Sequence, residues 1–321
     1  MKTVFGSICR RVFGLPAGAV DFRQRGFRGA LPFQRQRLEQ AGGAFLAGYH
    51  LALESRSISE LDSRLAGVDG ELRGFAFEGA AMSLALLDFL TPWRRDRIHE
   101  FLRGAGGAHA YMIHVGVGWV WARAPFGFRR RQKRLDPLLG WLAFDGWGFH
   151  EGYFHWPKYI AGQPAPKMLS GYERRGFDQG LGRSFWFVHG GNGELISQTL
   201  SHFSVERLPD LWSGVGLGAT YAGMVSEDAL QRLRALSGPF QPQLAQGAAF
   251  AAKARQRAGN STDYVQLAAR IFCQTSADEA AHVTDAALEN LPADAEVPAY
   301  EIWRRRIQNH FATNLQTHVT K

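Results

Sequence analysis

The sequence is poor in cysteine, since only Cys9 and Cys273 occur among its 321 residues and they lie far apart. A disulfide framework is therefore excluded, which fits a reducing compartment. Long apolar runs are also lacking: the longest, 79–90 and 110–122, are interrupted by Asp88 and His114. Both are shorter than the roughly 18 residues of a membrane-spanning helix. The start, MKTVFGSICRRVFG, has no signal-peptide core or cleavage site. We expect a cytoplasmic protein without a transmembrane segment.

Familiar catalytic motifs are missing as well. The sequence contains no Ser-His-Asp elbow, reactive-cysteine context, dinucleotide fingerprint or haem-attachment motif. The glycines of DLWSGVGLGATYAG (210–223) are spaced by two and match neither GxGxxG nor a Walker sequence. Close packing of helices explains such glycines better than phosphate binding. We therefore assign no cofactor.

The net charge is +8, and arginine is spread over the whole chain with clusters at 94–97, 129–134 and 304–306. A basic balance can indicate nucleic acid, an anionic membrane or an acidic small molecule. Dispersed arginine is more typical of ion-paired helix faces, and no nucleic-acid motif is present. We therefore do not expect a nucleic-acid partner.

Helical patterns dominate what is present. Apolar residues recur at spacings of three and four in several segments: 38–56, 78–90, 93–103, 230–236, 243–257, 264–274, 278–290 and 298–313. The centre, 104–193, is rich in glycine and aromatic residues, and we expect loops and short irregular elements there because glycine weakens helices and strands alike. The sequence predicts a mainly α fold: a basic N-terminal segment (1–20) and a single helical domain (21–315) with a Gly/aromatic-rich central region.

A weak internal repeat is visible. The sequence RGF occurs at 25–27 and 175–177, and EGAAM (78–82) has a counterpart in QGAAF (246–250). Chance similarity and duplication both explain this pattern. Duplication would give two pseudo-symmetric halves, 21–160 and 165–315, with a ligand site near their seam.

The central segments resemble one known family, DUF1702. The resemblance rests on RGFAFEGAAMSLALLD (73–88), HVGVGWVWAR (114–123), FDGWGFHEGYFHWP (144–157), RRGFDQGLGRSFWF (174–187) and DLWSGVGLGATYAG (210–223). Some members are named enediyne biosynthesis proteins because they accompany enediyne polyketide synthases. The resemblance implies specialised metabolism and a polyketide-derived or polyene-like substrate. It carries over no catalytic residues.

Acidic residues flanked by glycine and aromatics are the candidate catalytic groups. The pattern Gly-Phe-x-(x)-Glu/Gln-Gly contains Glu78 and Glu151, and a third copy contains Asp178. Partial desolvation there would raise a carboxyl pKa toward the range of a general acid, whereas pairing with arginine would make the same acid structural.

His150 joins Glu151 in a His-Glu-x-x-x-His pattern that ends at His155. Its histidines are five residues apart, and a zinc-protease helix needs four. We therefore assign no metal and include His150 among the catalytic candidates. Hydrogen-bonded histidines in an aromatic loop are the structural alternative.

The candidate substrate-binding residues are basic and aromatic. Guanidinium groups match the geometry of oxyanions, although a buried ion-pair network explains the same arginines. Aromatic side chains can line a cavity for a flat or polyunsaturated ligand, although core packing accounts for most of them. The set comprises Arg175, Arg183, His114, Trp147, Tyr153, Trp186 and Tyr221.

Three functions follow from these features. The first is an enzyme that isomerises, cyclises or eliminates a lipophilic polyene intermediate by proton transfer. The second is a non-catalytic protein that sequesters or delivers such an intermediate to a synthase. The third is a structural partner of a polyketide synthase or carrier protein. Whether the chain forms a homodimer stays open.

Overall fold

The computed structural model describes residues 4–91, 93–94, 96–223, 225–292 and 296–319, with side chains described between 9 and 313. Within these ranges the chain is helical, and no strand occurs in them. The mainly α fold is therefore confirmed. The helices are α1 (Val4–Phe13), α2 (Pro32–Glu54), α3 (Ile58–Ala66), α4 (Gly70–Leu90), α5 (Arg97–Arg103), α6 (Ala110–Arg123), α7 (Phe128–Gln132), α8 (Leu142–Phe154), α9 (Trp156–Tyr159), α10 (Tyr172–Val188), α11 (Gly193–Leu200), α12 (Leu208–Ala222), α13 (Glu227–Leu236), α14 (Gln241–Arg257), α15 (Asp263–Phe272), α16 (Ala277–Ala286) and α17 (Ala299–Val319).

The even-numbered helices α2 to α16 form the body of the fold. The odd-numbered helices α3 to α15 lie in the connections between them. In the series α2, α4, α6, α8, α10, α12, α14 and α16, each helix packs on the next. The series curls back on itself, since α12 also touches α2 and α14 also touches α6. Helix α17 packs against α14 and α16. None of the described helices is both long and apolar enough to cross a membrane.

Glycine allows unusually close crossings between these inner helices. Four of them carry two glycines two positions apart: Gly116 and Gly118, Gly146 and Gly148, Gly180 and Gly182, Gly214 and Gly216. Residues two apart lie about 200° apart around an α-helix, so one glycine faces the preceding helix and the other the following helix. A Cβ on Gly180 would lie 1.7 Å from the Asp145 carbonyl oxygen of α8, and one on Gly182 would lie 2.0 Å from the Leu211 oxygen of α12.

The expectation of loops throughout 104–193 is wrong. This region contains α6, α8 and α10, and the glycines predicted to break helices lie inside them. Each glycine costs a helix about 1 kcal/mol relative to alanine. The close backbone approach that the glycines permit, and the aromatic side chains packed around them, offset that cost. The prediction that the 210–223 glycines serve helix packing is confirmed by Gly214, which faces the Gln179 carbonyl oxygen.

Candidate functional site

Five inner helices place a buried polar residue immediately before a glycine that contacts a neighbouring helix. These residues are Glu78, Asp145, Gln179, Ser213 and Gln246, and all are at most 2% exposed. Two pairs hydrogen-bond between helices: Gln179 Nε2 donates to Asp145 Oδ2 at 3.0 Å, and Ser213 Oγ donates to Gln246 Oε1 at 2.8 Å. The glycine crossings therefore bring a line of polar groups into an otherwise apolar interior.

The charged centre of this line comprises Glu78, Trp119, Asp145 and Arg183, which we name the Glu78 cluster. Trp119 Nε1 donates a 2.9 Å hydrogen bond to Glu78 Oε1, and Arg183 Nη2 lies 3.7 Å from the same oxygen. Arg183 approaches Asp145 more closely, at 2.9 Å through Nε and 2.8 Å through Nη2. Its guanidinium also lies 4.2 Å from the centre of the Phe149 ring.

Charge balance decides which acid in the cluster carries a proton. One guanidinium is shared by two buried carboxyl groups, so ionising both would leave a buried net negative charge, which is costly. Asp145 has the shorter contacts to Arg183 and a further hydrogen bond from Gln179. Burial raises the pKa of Glu78 to about 7, although Arg183 and Trp119 oppose the shift. Glu78 is therefore the proton-carrying acid and titrates near neutral pH.

A small cavity of about 30 Å³ lies beside the Glu78 cluster. This volume corresponds to roughly one water molecule. Seven of its fifteen lining residues are aromatic, and the N-terminal segment closes one side. Its lining comprises Leu15, Ala19, Val20, Ala41, Gly42, Phe45, Leu46, Phe75, Glu78, Trp119, Phe149, Tyr153, Phe154, Arg183 and Phe187. The cavity thus unites three residues of the sequence-predicted set: Glu78, Arg183 and Tyr153.

His150 and Glu151 belong to a second group, which also includes Arg123, His155 and Tyr159 and which we name the histidine cluster. The Glu151 carboxylate accepts from His150 Nδ1 at 3.3 Å, His155 Nδ1 at 3.1 Å and the Tyr159 hydroxyl at 3.3 Å. Burial acts to raise the pKa of Glu151, but its contacts with His150 and His155, first the hydrogen bond from His150, outweigh burial and lower that pKa. Glu151 is therefore an ionised hub, in contrast to Glu78.

The histidine cluster also has the spacing of a metal site, since one ligand atom from each of His150, Glu151 and His155 lies within 4.8 Å of the others. Helix α8 ends at Phe154, so His155 lies outside the helix, and the spacing of two histidines along a regular helix does not apply to it. The Arg123 Nε–H donates to His150 Nε2 at 3.2 Å. An accepting Nε2 makes Nδ1 the protonated nitrogen of a neutral imidazole. In this arrangement Nδ1 is a donor to Glu151 and not a metal ligand.

The remaining charged candidates lie in ion pairs apart from the cavity. Asp178 accepts two hydrogen bonds from Arg207, at 2.9 and 2.6 Å. Burial raises the pKa of Asp178 to about 6, against the opposing effect of Arg207. Arg175 bridges Asp210, at 2.8 Å, and Glu301, at 2.6 Å. These contacts favour the structural alternative, in which the residues join α10 to α12 and α17.

Four other candidates are buried but do not line the cavity. His114 bonds through Nδ1 to the Ala110 carbonyl oxygen of its own helix at 2.7 Å. Trp147 packs edge-on against Phe128, and Trp186 contacts the backbone turn at Gly191. The buried hydroxyl of Tyr221 has no hydrogen-bond partner within the described part of the chain. The Tyr221 hydroxyl oxygen occupies the space beside Gly74, since a Cβ built on Gly74 would lie 1.8 Å from it.

Sequence reasoning did not select Asp145 or Trp119 as site residues. Both belong to the Glu78 cluster, and a signal for Asp145 was available. It directly precedes Gly146, as Glu78 precedes Gly79 and Gln246 precedes Gly247. The pattern Gly-Phe-x-(x)-Glu/Gln-Gly includes Glu151 of α8, which follows Gly148-Phe149, and not Asp145, which follows Ala143-Phe144.

Comparison with known proteins yields one match. No curated protein and no solved structure matches the chain. The family described as "Protein of unknown function (DUF1702)" matches residues 4–311, which is nearly the whole sequence. This chain therefore belongs to the DUF1702 family.

Proposed function

We propose that the protein is an enzyme of specialised metabolism that isomerises, cyclises or eliminates a lipophilic polyene intermediate, with Glu78 as the proton-transferring group. The main support is that Glu78 lines an aromatic cavity and that burial raises the pKa of its carboxyl group to about 7. An acid that titrates near neutral pH is suited to both giving and taking a proton.

The contacts of Glu78 leave one oxygen for a substrate. Trp119 and Arg183 both approach Oε1. Within the described part of the chain, Oε2 makes no hydrogen bond, so it is available to a ligand in the cavity that Glu78 lines. Protonated Oε2 would deliver a proton to a double bond, and the resulting carboxylate would then remove a proton from a neighbouring carbon. Arg183 would stabilise the transient carboxylate, and the aromatic walls would exclude water.

A substrate larger than water requires the cavity to open, and the N-terminal segment is suited to that movement. Leu15, Ala19 and Val20 close one side of the cavity, yet no residue of the 3₁₀ turn Ala17–Val20 is fully buried. Displacing this turn would therefore free no fully buried side chain of its own. We expect a Val20→Cys/Gly42→Cys disulfide to lock it. The Val20 Cβ lies 2.7 Å from a Cβ built on Gly42, so a disulfide needs an outward shift of about 1 Å. Activity should fall on oxidation and return on reduction. Full activity in the locked state would contradict this opening.

The decisive experiment compares metabolites in a gene-deletion strain complemented with the wild type, Glu78→Gln or Glu194→Gln. Glutamine keeps an oxygen for the Trp119 donor but cannot transfer the proton. Glu194→Gln makes the same change at an exposed ion pair with Arg232. We expect wild type and Glu194→Gln to restore the missing product and a stable Glu78→Gln protein not to restore it. Full restoration by Glu78→Gln would refute the catalytic role.

A non-catalytic binding role is the second candidate, and one observation favours it. The Arg183 guanidinium already lies beside both Glu78 and Asp145, so the cluster is charge-balanced without a reaction. A binder would need the aromatic wall but no proton transfer. Restoration by Glu78→Gln together with loss of product in Phe149→Ala would support this second function.

A further inference from the structure

The two basic clusters at 94–97 and 129–134 lie outside the proposed site, and the surrounding sequence is unusually charged. Residues 88–136 contain ten Lys or Arg and four Asp or Glu, a net charge of +6 within a chain whose total is +8. Three quarters of the net positive charge therefore belongs to one segment, which runs from the end of α4 to the turn after α7.

Exposed apolar side chains collect in the same segment. Ten large apolar side chains are exposed among the described residues, and four of them are Phe89, Leu90, Trp93 and Phe126. Trp93 is 82% exposed and Phe126 is 80% exposed. Such side chains are costly to leave in water, and clusters of them mark interaction surfaces.

The structure brings the connections α4–α5 and α6–α7 to one face. Phe89, Phe126 and Arg130 line the same surface groove of about 540 Å³. The Arg131 guanidinium lies 4.9 Å from the centre of the Phe89 ring, and His99 Nε2 lies 2.6 Å from the Arg134 carbonyl oxygen. We name as the basic aromatic face Phe89, Phe126, Arg130 and Arg134 of this groove together with the exposed residues Leu90, Trp93 and Arg94, which follow Phe89 along the chain.

We propose that the basic aromatic face docks the protein on an anionic lipid membrane. Exposed Trp and Phe beside arginine are the side chains that insert at the level of lipid headgroups, with the cation held at the phosphates. Each basic residue near an anionic bilayer adds to the attraction, so a cluster of them strengthens binding. Trp93 and Phe126 lie in connections between helices, so the protein would lie on the bilayer surface without spanning it.

Membrane docking is independent of the catalytic proposal, since no residue of the face belongs to the Glu78 cluster. It would nevertheless bring a lipophilic substrate within reach of the protein. A small acidic carrier protein is the competing occupant, because it would complement the same charge. The near-complete exposure of Trp93 and Phe126 favours the membrane, since protein hot spots centre on well-packed pockets.

The test is co-sedimentation of the full chain with phosphatidylcholine vesicles, with and without about 30 mol% phosphatidylglycerol. We expect retention on the anionic vesicles only, and release on addition of salt. Trp93→Ala/Phe126→Ala should weaken binding roughly tenfold or more because it removes the inserted apolar groups. Phe33→Ala/Val205→Ala, at exposed apolar residues elsewhere, is the matched control and should bind as the wild type does.

Charge reversal gives a second pair of variants. Arg94→Glu/Arg130→Glu should abolish retention, whereas Lys158→Glu/Arg270→Glu makes the same change in net charge at exposed residues away from the face and should retain most binding. Equal loss in both pairs would show attraction by net charge alone and would overturn the proposal. So would absence of vesicle binding, or selective retention of the wild type by an immobilised acyl carrier protein and not by vesicles.

Discussion

The protonation of Glu78 can be tested through stability, without knowledge of the substrate. Its pKa is about 7 in the folded protein, whereas an unburied glutamate has a value of 4.5. Because the folded value is the higher one, the folded state binds a proton that the unfolded state releases. The stability that this proton contributes is therefore fully present below pH 4.5 and is lost as the pH rises through 7.

The magnitude follows from the difference between the two pKa values. At 1.36 kcal/mol for each pH unit, raising 4.5 to about 7 corresponds to a loss of roughly 3 kcal/mol at high pH. Glu78→Gln mimics the protonated acid and keeps an oxygen for the Trp119 donor, so it removes this pH dependence. We expect the variant to match the wild type near about pH 4 and to be more stable by up to about 3 kcal/mol near about pH 8.5.

The assay is urea unfolding of the wild type and Glu78→Gln at several pH values between these limits. The difference between the two proteins isolates Glu78 from the other titrating groups. Glu194→Gln is the control, because an exposed ion pair contributes less than about 1 kcal/mol. A Glu78→Gln protein that is less stable than the wild type at high pH would refute the argument. It would show that Glu78 is ionised and held by Arg183.

Three further predictions concern the fold, and urea unfolding measures each. Gly180→Ala should lower the free energy of unfolding by about 3 kcal/mol or more, because the new Cβ would overlap the Asp145 carbonyl oxygen. Gly43→Ala, where no atom lies within 4 Å of the new Cβ, should raise it by about 0.5–1 kcal/mol. Equal effects of the two substitutions would contradict the account of close helix crossings. Arg304→Met should lower the free energy of unfolding by roughly 3–5 kcal/mol, because it removes the guanidinium whose Nη1 lies 2.7 Å from Oδ1 of the buried Asp210. An unchanged urea midpoint would count against a stabilising role for this ion pair. Tyr221→Phe should gain about 1 kcal/mol by removing an unpartnered hydroxyl, and a loss would reveal a bond to that hydroxyl.

The sequence was sufficient for helices with a regular apolar periodicity. Periodic apolar residues located α14, predicted from 243 and observed as Gln241–Arg257, and the last helix, predicted from 298 and observed from Ala299. It was insufficient for α6, α8 and α10, because glycine and aromatic residues are poor helix formers when each helix is considered alone. Their stability comes from crossings such as that of Gly148 with the Phe177 carbonyl oxygen, which a local pattern does not reveal.

The candidate site was partly predictable for the same reason. Glu78 and Glu151 share one local pattern, yet one carries a proton beside an aromatic cavity and the other is an ionised hub. The difference comes from their partners: Glu78 shares the guanidinium of Arg183 on α10, whereas Glu151 is held by His150, His155 and Tyr159, which are close to it in the sequence. The partners of Glu78, Trp119 and Arg183, lie on other helices, and the neighbours of Glu78 along the chain do not reveal them.

The register of the glycine crossings connects the fold to the site. A glycine that lets two inner helices approach closely also fixes the position of the residue before it, and that residue is a buried polar group in α4, α8, α10, α12 and α14. Carboxylates occupy this position in α4 and α8, amides occupy it in α10 and α14, and a hydroxyl occupies it in α12. Changes at this position alter the interior chemistry without moving a crossing. The acid at Glu78 is therefore a property of one position and not a requirement of the fold, since Gln246 fills the corresponding place before Gly247.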